Sequence, residues 1–185
     1  YVFYIPHFTG VDKDGNQLFE SPTGPDHDIN NANRYYYDPN PKFNYGINNT
    51  FTYKKLSLNV FIRGVSGQKL FNNTRLLIDN PGRLPSNNVT KESLTNGIKD
   101  NTPVVSDLWL QNASYLRLDN ATLSYTFGKL NGIDNLSVYL TANNLFVITP
   151  YQGLDPEVMN GDDDNSYIDY NYGGVGYYPK TRSFV

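Results

Sequence analysis

The sequence predicts an all-β fold whose long antiparallel strands cross a membrane as part of a β-barrel. Apolar and polar residues alternate along several stretches of about ten residues, the length that a tilted strand needs to span a bilayer. Very short connections alternate with long polar ones. The composition agrees, because 16 Tyr and 10 Phe accompany a hydrophobic fraction of only 38% among 185 residues. Such a balance is typical of strands with one polar face and with aromatic residues at a boundary.

The clearest alternation predicts two strands, Phe43–Tyr53 and Leu56–Arg63, joined by a turn at Lys54-Lys55. Each strand has one apolar face and one mainly polar face. Four residues of the second strand are predicted to face hydrocarbon: Leu56, Leu58, Val60 and Ile62. The intervening Ser57 and Asn59 are predicted to face the barrel lumen.

The alternation returns in Ala121–Phe127 and Leu136–Thr141, which predicts a second hairpin with its connection at 128–135. The two ends of the chain, "YVFYIPHF" and "YYPKTRSFV", are also strand-like, so about six strands are predicted. Such a set leaves unpaired edges, which hydrocarbon does not tolerate. The segment is therefore either a small barrel that lacks strands or one part of a larger barrel.

The remaining connections, at 10–42, 64–114 and 148–177, are long, polar and rich in Gly, Pro, Asn and Asp. Outer-membrane barrels combine short periplasmic turns with long extracellular loops, whereas compact soluble domains rarely contain irregular loops of this length. Within the middle connection, "TKESLTNGIKD" (Thr90–Asp100) predicts a short helix.

Three stretches, in this order, resemble the C-terminal end of SusC/RagA-type TonB-dependent outer-membrane transporters. They are "SYLRLDNATLSYTF" (Ser114–Phe127), "LSVYLTANNLFVITPYQGLDPEV" (Leu136–Val158) and "YYPKTRSF" (Tyr177–Phe184). The upstream segment Asn40–Asn72 is similar to the family's penultimate hairpin region, and Phe8–Phe19 is similar, more loosely, to its Gly-Val-Asp loop. The most specific features are the ordered Tyr-Leu-Arg-Leu, Asn-Leu-Phe, Gly-Leu-Asp-Pro-Glu and Tyr-Pro-x-x-Arg.

The resemblance implies that residues 1–185 are the C-terminal part of one β-barrel domain, about the last six strands of a 22-stranded plugged barrel. The chain would then be a fragment of a larger protein, with the plug domain and the TonB-contacting segment absent from it. The resemblance also implies that the closing strand continues for several residues beyond the position of Val185.

The function implied by the resemblance is TonB-dependent import of oligosaccharides or peptides across the outer membrane of a Gram-negative cell. The implied partners are a SusD-like surface lipoprotein, TonB (through a region outside this chain), the cargo and outer-membrane lipid. Nucleic acid is not expected, because a formal net charge of −3 supplies no basic face. The alternative is a soluble β-sandwich module that binds carbohydrate and buries both apolar sets in one core.

The sequence favours no enzyme, cofactor or metal site. It contains no GxSxG, P-loop or dinucleotide-binding motif and no Cys. Asp155 and Glu157 are predicted to be structural residues of a loop rather than an acid/base pair. "DKDGN" (Asp12–Asn16) predicts an Asp-Gly turn rather than a calcium loop. For Asp162-Asp163-Asp164, a calcium ion and a solvated loop are both open readings.

Aromatic residues on the long loops are the candidate ligand contacts, because their rings can stack on sugar rings or on peptide side chains. The same rings could instead pack loop against loop or against a lid protein. The candidates are Tyr35, Tyr36, Tyr37, Trp109, Tyr167, Tyr170 and Tyr172.

Overall fold

The computed structural model describes residues 2–99, 102, 104–130, 132–157, 167–169 and 179–185. Strands are the main regular structure of these residues, and every pairing between two of these strands is antiparallel, which confirms the predicted all-β class. The strands are β1 (Phe3–Pro6), β2 (Phe8–Val11), β3 (Gln17–Phe19), β4 (Arg34–Tyr37), β5 (Phe43–Tyr53), β6 (Leu56–Ser66), β7 (Lys69–Phe71), β8 (Leu110–Asn112), β9 (Tyr115–Leu130), β10 (Ile133–Ile148) and β11 (Ser183–Phe184). A helix, α1 (Asn73–Ile78), and short 3-10 turns complete the described elements. Among the described residues, no helix has the length and apolar character that crossing a bilayer requires.

The main sheet has the order β11-β10-β9-β6-β5. Its strands β5 and β6 contain 11 residues each, and β9 and β10 contain 16 residues each. A strand rises about 3.4 Å per residue, so even the shorter pair exceeds the thickness of a hydrocarbon core of about 30 Å.

The register of the sheet separates an apolar face from a polar one, as predicted. Leu58 lies opposite Phe51 on β5 and opposite Leu123 on β9. The next residue, Asn59, lies opposite Thr50, whose Oγ1 accepts a 2.8 Å hydrogen bond from the Asn59 amide. Because successive side chains of a strand point to opposite faces, the apolar residues of β6 share the first face.

The two hairpin turns differ in how well the sequence predicts them. The turn between β5 and β6 lies at Lys54-Lys55 as predicted, with Lys54 in the left-handed conformation at φ 56°. The connection predicted at 128–135 is shorter, because β9 continues to Leu130 and β10 begins at Ile133. The β9–β10 ladder continues there with register irregularities, and Gly128 adopts a φ of 81°. Strand pairing thus extends into a segment whose glycine content is typical of a loop.

The opening stretch of the chain does not join the main sheet. Pro6 lacks an N–H and ends β1, after which the chain continues as β2. β1 pairs with β4, and β2 pairs with β3, in separate two-stranded sheets. At the other end of the chain, the short β11 pairs with β10 and does join the main sheet. The described part of the main sheet therefore contains four long strands and one strand of two residues.

The segments predicted to be long loops fold into a compact unit of their own. This loop unit comprises Tyr1–Asn40, Lys69–Asn112 and Tyr151–Tyr178. The sheet unit comprises Pro41–Gln68, Ala113–Pro150 and Pro179–Val185. The core of the loop unit is formed by Phe3, Ile5, Phe71, Leu76, Ile98 and Trp109. These residues are scattered among polar ones in the sequence, so the loop unit is much less irregular than its composition predicts.

The helix of the middle segment lies earlier than predicted. Within residues 90–99, the described part of the predicted Thr90–Asp100, the helical element is the 3-10 turn Glu92–Leu94. The α-helix is instead α1, whose first turn is capped by Asn72 through a 3.0 Å hydrogen bond from the Arg75 N–H to the Asn72 side chain. An Asn at this position satisfies an N–H group that has no partner within the helix.

A bulge interrupts the β9–β10 ladder between the pairs Asn143–Asn120 and Phe146–Leu118. One residue of β9, Asp119, lies there opposite two residues of β10, Asn144 and Leu145. On the polar face nearby, Arg63 lies directly opposite Arg117, a pairing of like charges that costs stability by itself. Arg63 forms an ion pair with Asp119, and Arg117 donates to the Asn144 side chain. The Tyr115 ring lies 5.8 Å from Arg63 Cζ and 5.7 Å from Arg117 Cζ. These contacts offset the repulsion and hold the irregular part of the wall.

The register predicts opposite outcomes for arginine at two adjacent positions. Leu58→Arg should reduce assembly of the full-length protein, because arginine on a lipid-facing mid-bilayer site costs about 2–4 kcal/mol. Asn59→Arg should assemble normally, since its side chain lies on the polar face. The measurement is the amount of heat-modifiable, folded barrel in outer-membrane fractions. Equal assembly of the two variants would contradict the assignment of the faces.

Candidate functional site

Three of the predicted ligand-contacting aromatics pack in the core of the loop unit. Trp109 is only 6% exposed, and its Nε1 donates to the Val104 carbonyl at 3.2 Å. Tyr37 and Tyr167 pack against the same core. The Tyr167 hydroxyl donates to Asn40 Oδ1 at 2.8 Å. The rings of these three residues therefore join the segments of the loop unit to one another.

Tyr35 and Tyr36 keep exposed rings on β4. Tyr36 is 75% exposed and stacks on Tyr4 of β1, with 4.6 Å between the ring centroids. The Tyr35 hydroxyl donates to Glu20 Oε2 at 2.8 Å, and this hydrogen bond raises the pKa of Tyr35 above its ordinary value. Successive residues of a strand alternate in direction, so these two rings lie on opposite faces of the β1–β4 ribbon. The remaining candidates, Tyr170 and Tyr172, lie outside the described residues.

Asp107 joins the first strands of the loop unit to the segment that precedes β8. Its Oδ2 accepts the Tyr37 hydroxyl at 2.6 Å and lies 2.6 Å from His7 Nδ1, while its Oδ1 accepts the Phe8 N–H at 2.8 Å. Burial by itself would raise the pKa of Asp107, but these hydrogen bonds outweigh it and lower that pKa below its ordinary value. Burial and the bond to Asp107 raise the pKa of Tyr37. The carboxylate form of Asp107 is thus the form that stabilises the loop unit.

A polar cleft lies beside α1. It consists of two cavities, of about 330 Å³ and 190 Å³, that share Arg75, Glu92 and Gln152 in their linings. The first cavity is also lined by Asn72, Thr74, Ile78, Thr90, Gly153, Leu154 and Asp169. The second is also lined by Phe8, Asp79, Asn96, Ile98, Leu108, Trp109 and Gln111. Both cavities therefore offer carboxylates and amides, and the smaller one adds aromatic and aliphatic side chains.

Arg75 organises the wall of the cleft. Its Nε donates to Asp79 Oδ2 at 2.5 Å, one helical turn further along the chain. Its Nη1 donates to Gln152 Oε1. The Gln152 backbone N–H in turn donates to Gln111 Oε1 at 3.2 Å. One guanidinium thus connects α1 to the segment that follows β10.

The Gly-Leu-Asp-Pro-Glu segment has a structural role, as predicted. Asp155 is buried, and its Oδ1 accepts the Glu157 N–H at 2.9 Å. Just before it, the buried Tyr151 donates its hydroxyl to Asp169 Oδ2 at 2.6 Å. Burial and this hydrogen bond raise the pKa of Tyr151 well above its ordinary value. A Cβ at Gly153 would lie 2.2 Å from Tyr151 Cε1, so only glycine fits beside the ring.

The segment Asp12–Asn16 forms the turn that the sequence predicts. The Asp12 carboxylate accepts the N–H groups of Asp14 and Asn16, both at 2.8 Å, and the Asn16 side-chain amide. Gly15 takes a φ of 93°, which the turn requires. The other acidic group, Asp162-Asp163-Asp164, lies outside the described residues.

Trp109 is the one predicted site residue among those that line the cleft. Two signals in the sequence point to α1 and its ion pair: Asn72 ahead of an apolar run, and Arg75 four residues before Asp79. Nothing local indicates Glu92, Gln152 or Asp169, because only the folded chain brings them together.

Comparisons with known proteins agree with the architecture. The chain is 30% identical to TonB-dependent receptor P3 of Formosa agariphila over 96% of its own length and 19% of that protein. It is 29% identical to TonB-dependent receptor SusC of Bacteroides thetaiotaomicron over 85% of its length and 16% of that protein. A structure of the RagAB peptide transporter superposes with a TM-score of 0.78 and 28% identity, over 98% of this chain and 21% of that one. The chain belongs to the SusC/RagA-type TonB-dependent receptors. No family model matches it.

The chain spans less than a fifth of the length of these curated receptors. A second RagAB structure, in the open-open state, superposes with a TM-score of 0.74 over 90% of this chain. The loop unit and the sheet unit together make up the matched region, so in this SusC/RagA-type segment both the wall strands and the folded loops follow the family pattern.

The fit of Gly153 beside Tyr151 is open to a direct test. Gly153→Ala should destabilise the loop unit by about 1–3 kcal/mol, the usual cost of overpacking, because the buried ring cannot move without breaking its bond to Asp169. The measurement is protease sensitivity of the loops in the assembled receptor. Gly46→Ala is the matched control, since a Cβ there meets the Phe61 ring at an ordinary 3.5 Å. Equal protease resistance of both variants would contradict the steric argument.

The lowered pKa of Asp107 predicts a pH dependence. A carboxylate whose folded pKa lies below its unfolded value stabilises the fold above about pH 4 and loses this contribution as pH falls through the folded pKa. Loop-unit stability should therefore fall on acidification below pH 4, and Asp107→Asn should lower it by about 1–3 kcal/mol at neutral pH. Urea-dependent proteolysis at neutral and acidic pH measures both effects.

Asp134→Asn is the control for Asp107→Asn, because the Asp134 side chain is 92% exposed. It should leave loop-unit stability unchanged at every pH. A neutral-pH stability of Asp107→Asn equal to that of the wild type would overturn the role assigned to the Asp107 carboxylate.

Proposed function

We propose that this chain supplies wall strands and extracellular loops to a TonB-dependent importer of oligosaccharides or peptides in the outer membrane of a Gram-negative cell. Both units would belong to one barrel domain, the sheet unit as part of its wall and the loop unit as part of its outer surface. A SusD-like lipoprotein would cover the cargo site, and TonB would act through a region outside this chain. The similarity to a SusC receptor and to a RagAB peptide transporter supports this assignment.

The observation that carries the proposal is the apolar face of the main sheet. Ile47, Phe51, Val138 and Leu140 are each more than half exposed on it. A soluble β-sandwich would need a second sheet over this face, and among the described residues no such sheet is present. Hydrocarbon is the solvent that suits an apolar face of this extent. The barrel wall is therefore favoured over the carbohydrate-binding sandwich.

The free edge of β5 supports membership of a larger barrel. Within the described residues, β5 pairs only with β6 and forms one edge of the sheet. Its backbone N–H and C=O groups on the other side need partners, because an open edge in hydrocarbon costs several kcal/mol per unpaired group. Further strands of a longer protein would supply those partners.

The positions of the connections support the orientation. The β5–β6 and β9–β10 turns lie at the same end of the sheet, because Leu56 at the start of β6 pairs with Tyr125 near the end of β9. The loop-unit segments continue from the opposite ends of these strands. Short turns are periplasmic and long loops extracellular in such barrels, which would expose the loop unit to cargo and lipoprotein.

The mechanism would be binding followed by gated passage, with no covalent chemistry. Tyr35 and Tyr36 are the described candidates whose rings are exposed, so we propose them as the contacts to a sugar ring or a peptide side chain. Tyr37, Trp109 and Tyr167 would contribute by holding the segments that carry those contacts. Tyr170 and Tyr172 remain candidates on the last loop.

Uptake by whole cells tests the function. Cells that express the full-length receptor should accumulate fluorescent oligosaccharides or peptides only when TonB is present. Deleting 160–166, which leaves the packed residues 167–169 in place, should preserve assembly but reduce uptake or recovery of the lipoprotein in a pull-down. Lengthening the turn at Lys54-Lys55 should change neither. If the deletion has no effect while the turn insertion abolishes uptake, the orientation is inverted and the loop assignment fails.

A further inference from the structure

We infer that the polar cleft beside α1 is a cargo subsite that selects a unit bearing a primary ammonium group. This inference rests on the proposed importer function and specifies one of its cargo contacts. The larger cavity, of about 330 Å³, lies at the lower end of the size range of small-molecule sites, about 300–1,000 Å³. It therefore suits one sugar or amino-acid unit of a longer cargo.

The charges that line the two cavities do not balance. Asp79, Glu92 and Asp169 supply three carboxylates, and Arg75 supplies the one cationic side chain in the two linings. Ionised together, they leave a net charge of −2 in a concave site. A cleft lined by one sign of charge raises the local concentration of ligands of the opposite sign. A cation is accordingly favoured over a neutral or acidic group.

Glu92 is the carboxylate available to such a ligand. Its side chain is 68% exposed, and its Oε2 lies 4.0 Å from Arg75 Nη2, at the limit of an ion pair. Asp79 is different, because it accepts Arg75 Nε and the Thr90 hydroxyl and is only 6% exposed. The Arg75 charge is therefore directed mainly to Asp79, and the Glu92 carboxylate remains open to the cavity.

Gln152 supplies the neighbouring polar contact. Its Oε1 accepts both Arg75 Nη1 and, at 3.3 Å, Gln111 Nε2. These two donors determine the orientation of the amide, and its Nε2 donates to none of the described residues. An N–H donor beside a carboxylate can bind a hydroxyl or carbonyl next to an ammonium group. The cleft thus recognises two neighbouring groups of one unit.

The apolar residues of the smaller cavity suit the carbon part of that unit. Ile98, Leu108 and Trp109 line the smaller cavity, which shares Glu92 with the larger one. A lysine stem buries its methylene groups on apolar surface while its ammonium stays in a polar environment. A glucosamine ring presents carbon–hydrogen bonds in a comparable way. The shared chemistry is the ammonium group, which either a peptide or an amino sugar could carry.

The experiment uses the full-length receptor in complex with its lipoprotein and two matched pairs of probes. One pair is an N-acetylated hexapeptide with a single lysine and the same peptide with acetyl-lysine. The other pair is a glucosamine tetrasaccharide and its N-acetylated form. Calorimetric binding at low salt should favour the ammonium member of one pair by about two- to fivefold, the range of a partly exposed ion pair. The pair that shows this preference identifies the source of the ammonium group.

Glu92→Gln should abolish the preference while the neutral member binds as before. Asp14→Asn is the matched control, since Asp14 is an exposed carboxylate of the loop unit outside the cleft, and it should retain the preference. Added salt should weaken the preference in the wild type, as expected for an electrostatic contact.

A preference that persists in Glu92→Gln, or its absence from both probe pairs, would overturn the subsite while TonB-dependent uptake of cargo by cells continued. Loss of that uptake in wild-type cells would instead contradict the importer function. The two failures are therefore distinguishable.

Discussion

A strand that crosses hydrocarbon must pair every backbone N–H and C=O group, because no water is present to replace a missing partner. The main sheet meets this constraint through ladders that run from β5 to β10, each with 10 or more residue pairs. Everything that cannot be paired in such a ladder has to leave the wall. The turns between the described strands are therefore very short at one end, and the longer connections continue from the other end.

The regular pairing of β9 with β10 is interrupted at the bulge formed by Asp119, Asn144 and Leu145. Asn144 adopts a left-handed φ of 52°, and the ladder omits residues on both β9 and β10. Arg117 is only 1% exposed there, and burying a guanidinium is costly unless it has acceptors. The Asn144 side chain and the Tyr115 ring supply compensating interactions. Arginine suits this position because its guanidinium can donate hydrogen bonds and pack its planar face on an aromatic ring at the same time.

The loop unit obtains its order from residues that are far apart in the chain. Its core joins β1, α1 and the segment before β8, and Asp107 adds hydrogen bonds to residues about 100 and 70 positions away. The cleft arises as a consequence, because α1 and the segment after β10 are held by Arg75 without filling the space between them. A loop region that folds in this way can present side chains to a ligand with little further ordering, which reduces the entropic cost of binding.

The sequence by itself determined the all-β class, the faces of β6 and the position of the first turn, because a period of two and a Lys-Lys turn are local signals. It also determined the structural role of Asp155, since Gly, Pro and Asp have strong preferences in turns. Only the tertiary structure decided that Phe3–Pro6 pairs with β4, and that Trp109 belongs to a core. The cleft of Arg75, Glu92 and Gln152 was likewise decided by tertiary packing. Aromatic rings in polar loops have no periodicity that distinguishes packing from recognition. Contacts between segments that are about 30 to 100 residues apart form where they bury the most apolar surface. A local sequence pattern contains no information about that choice.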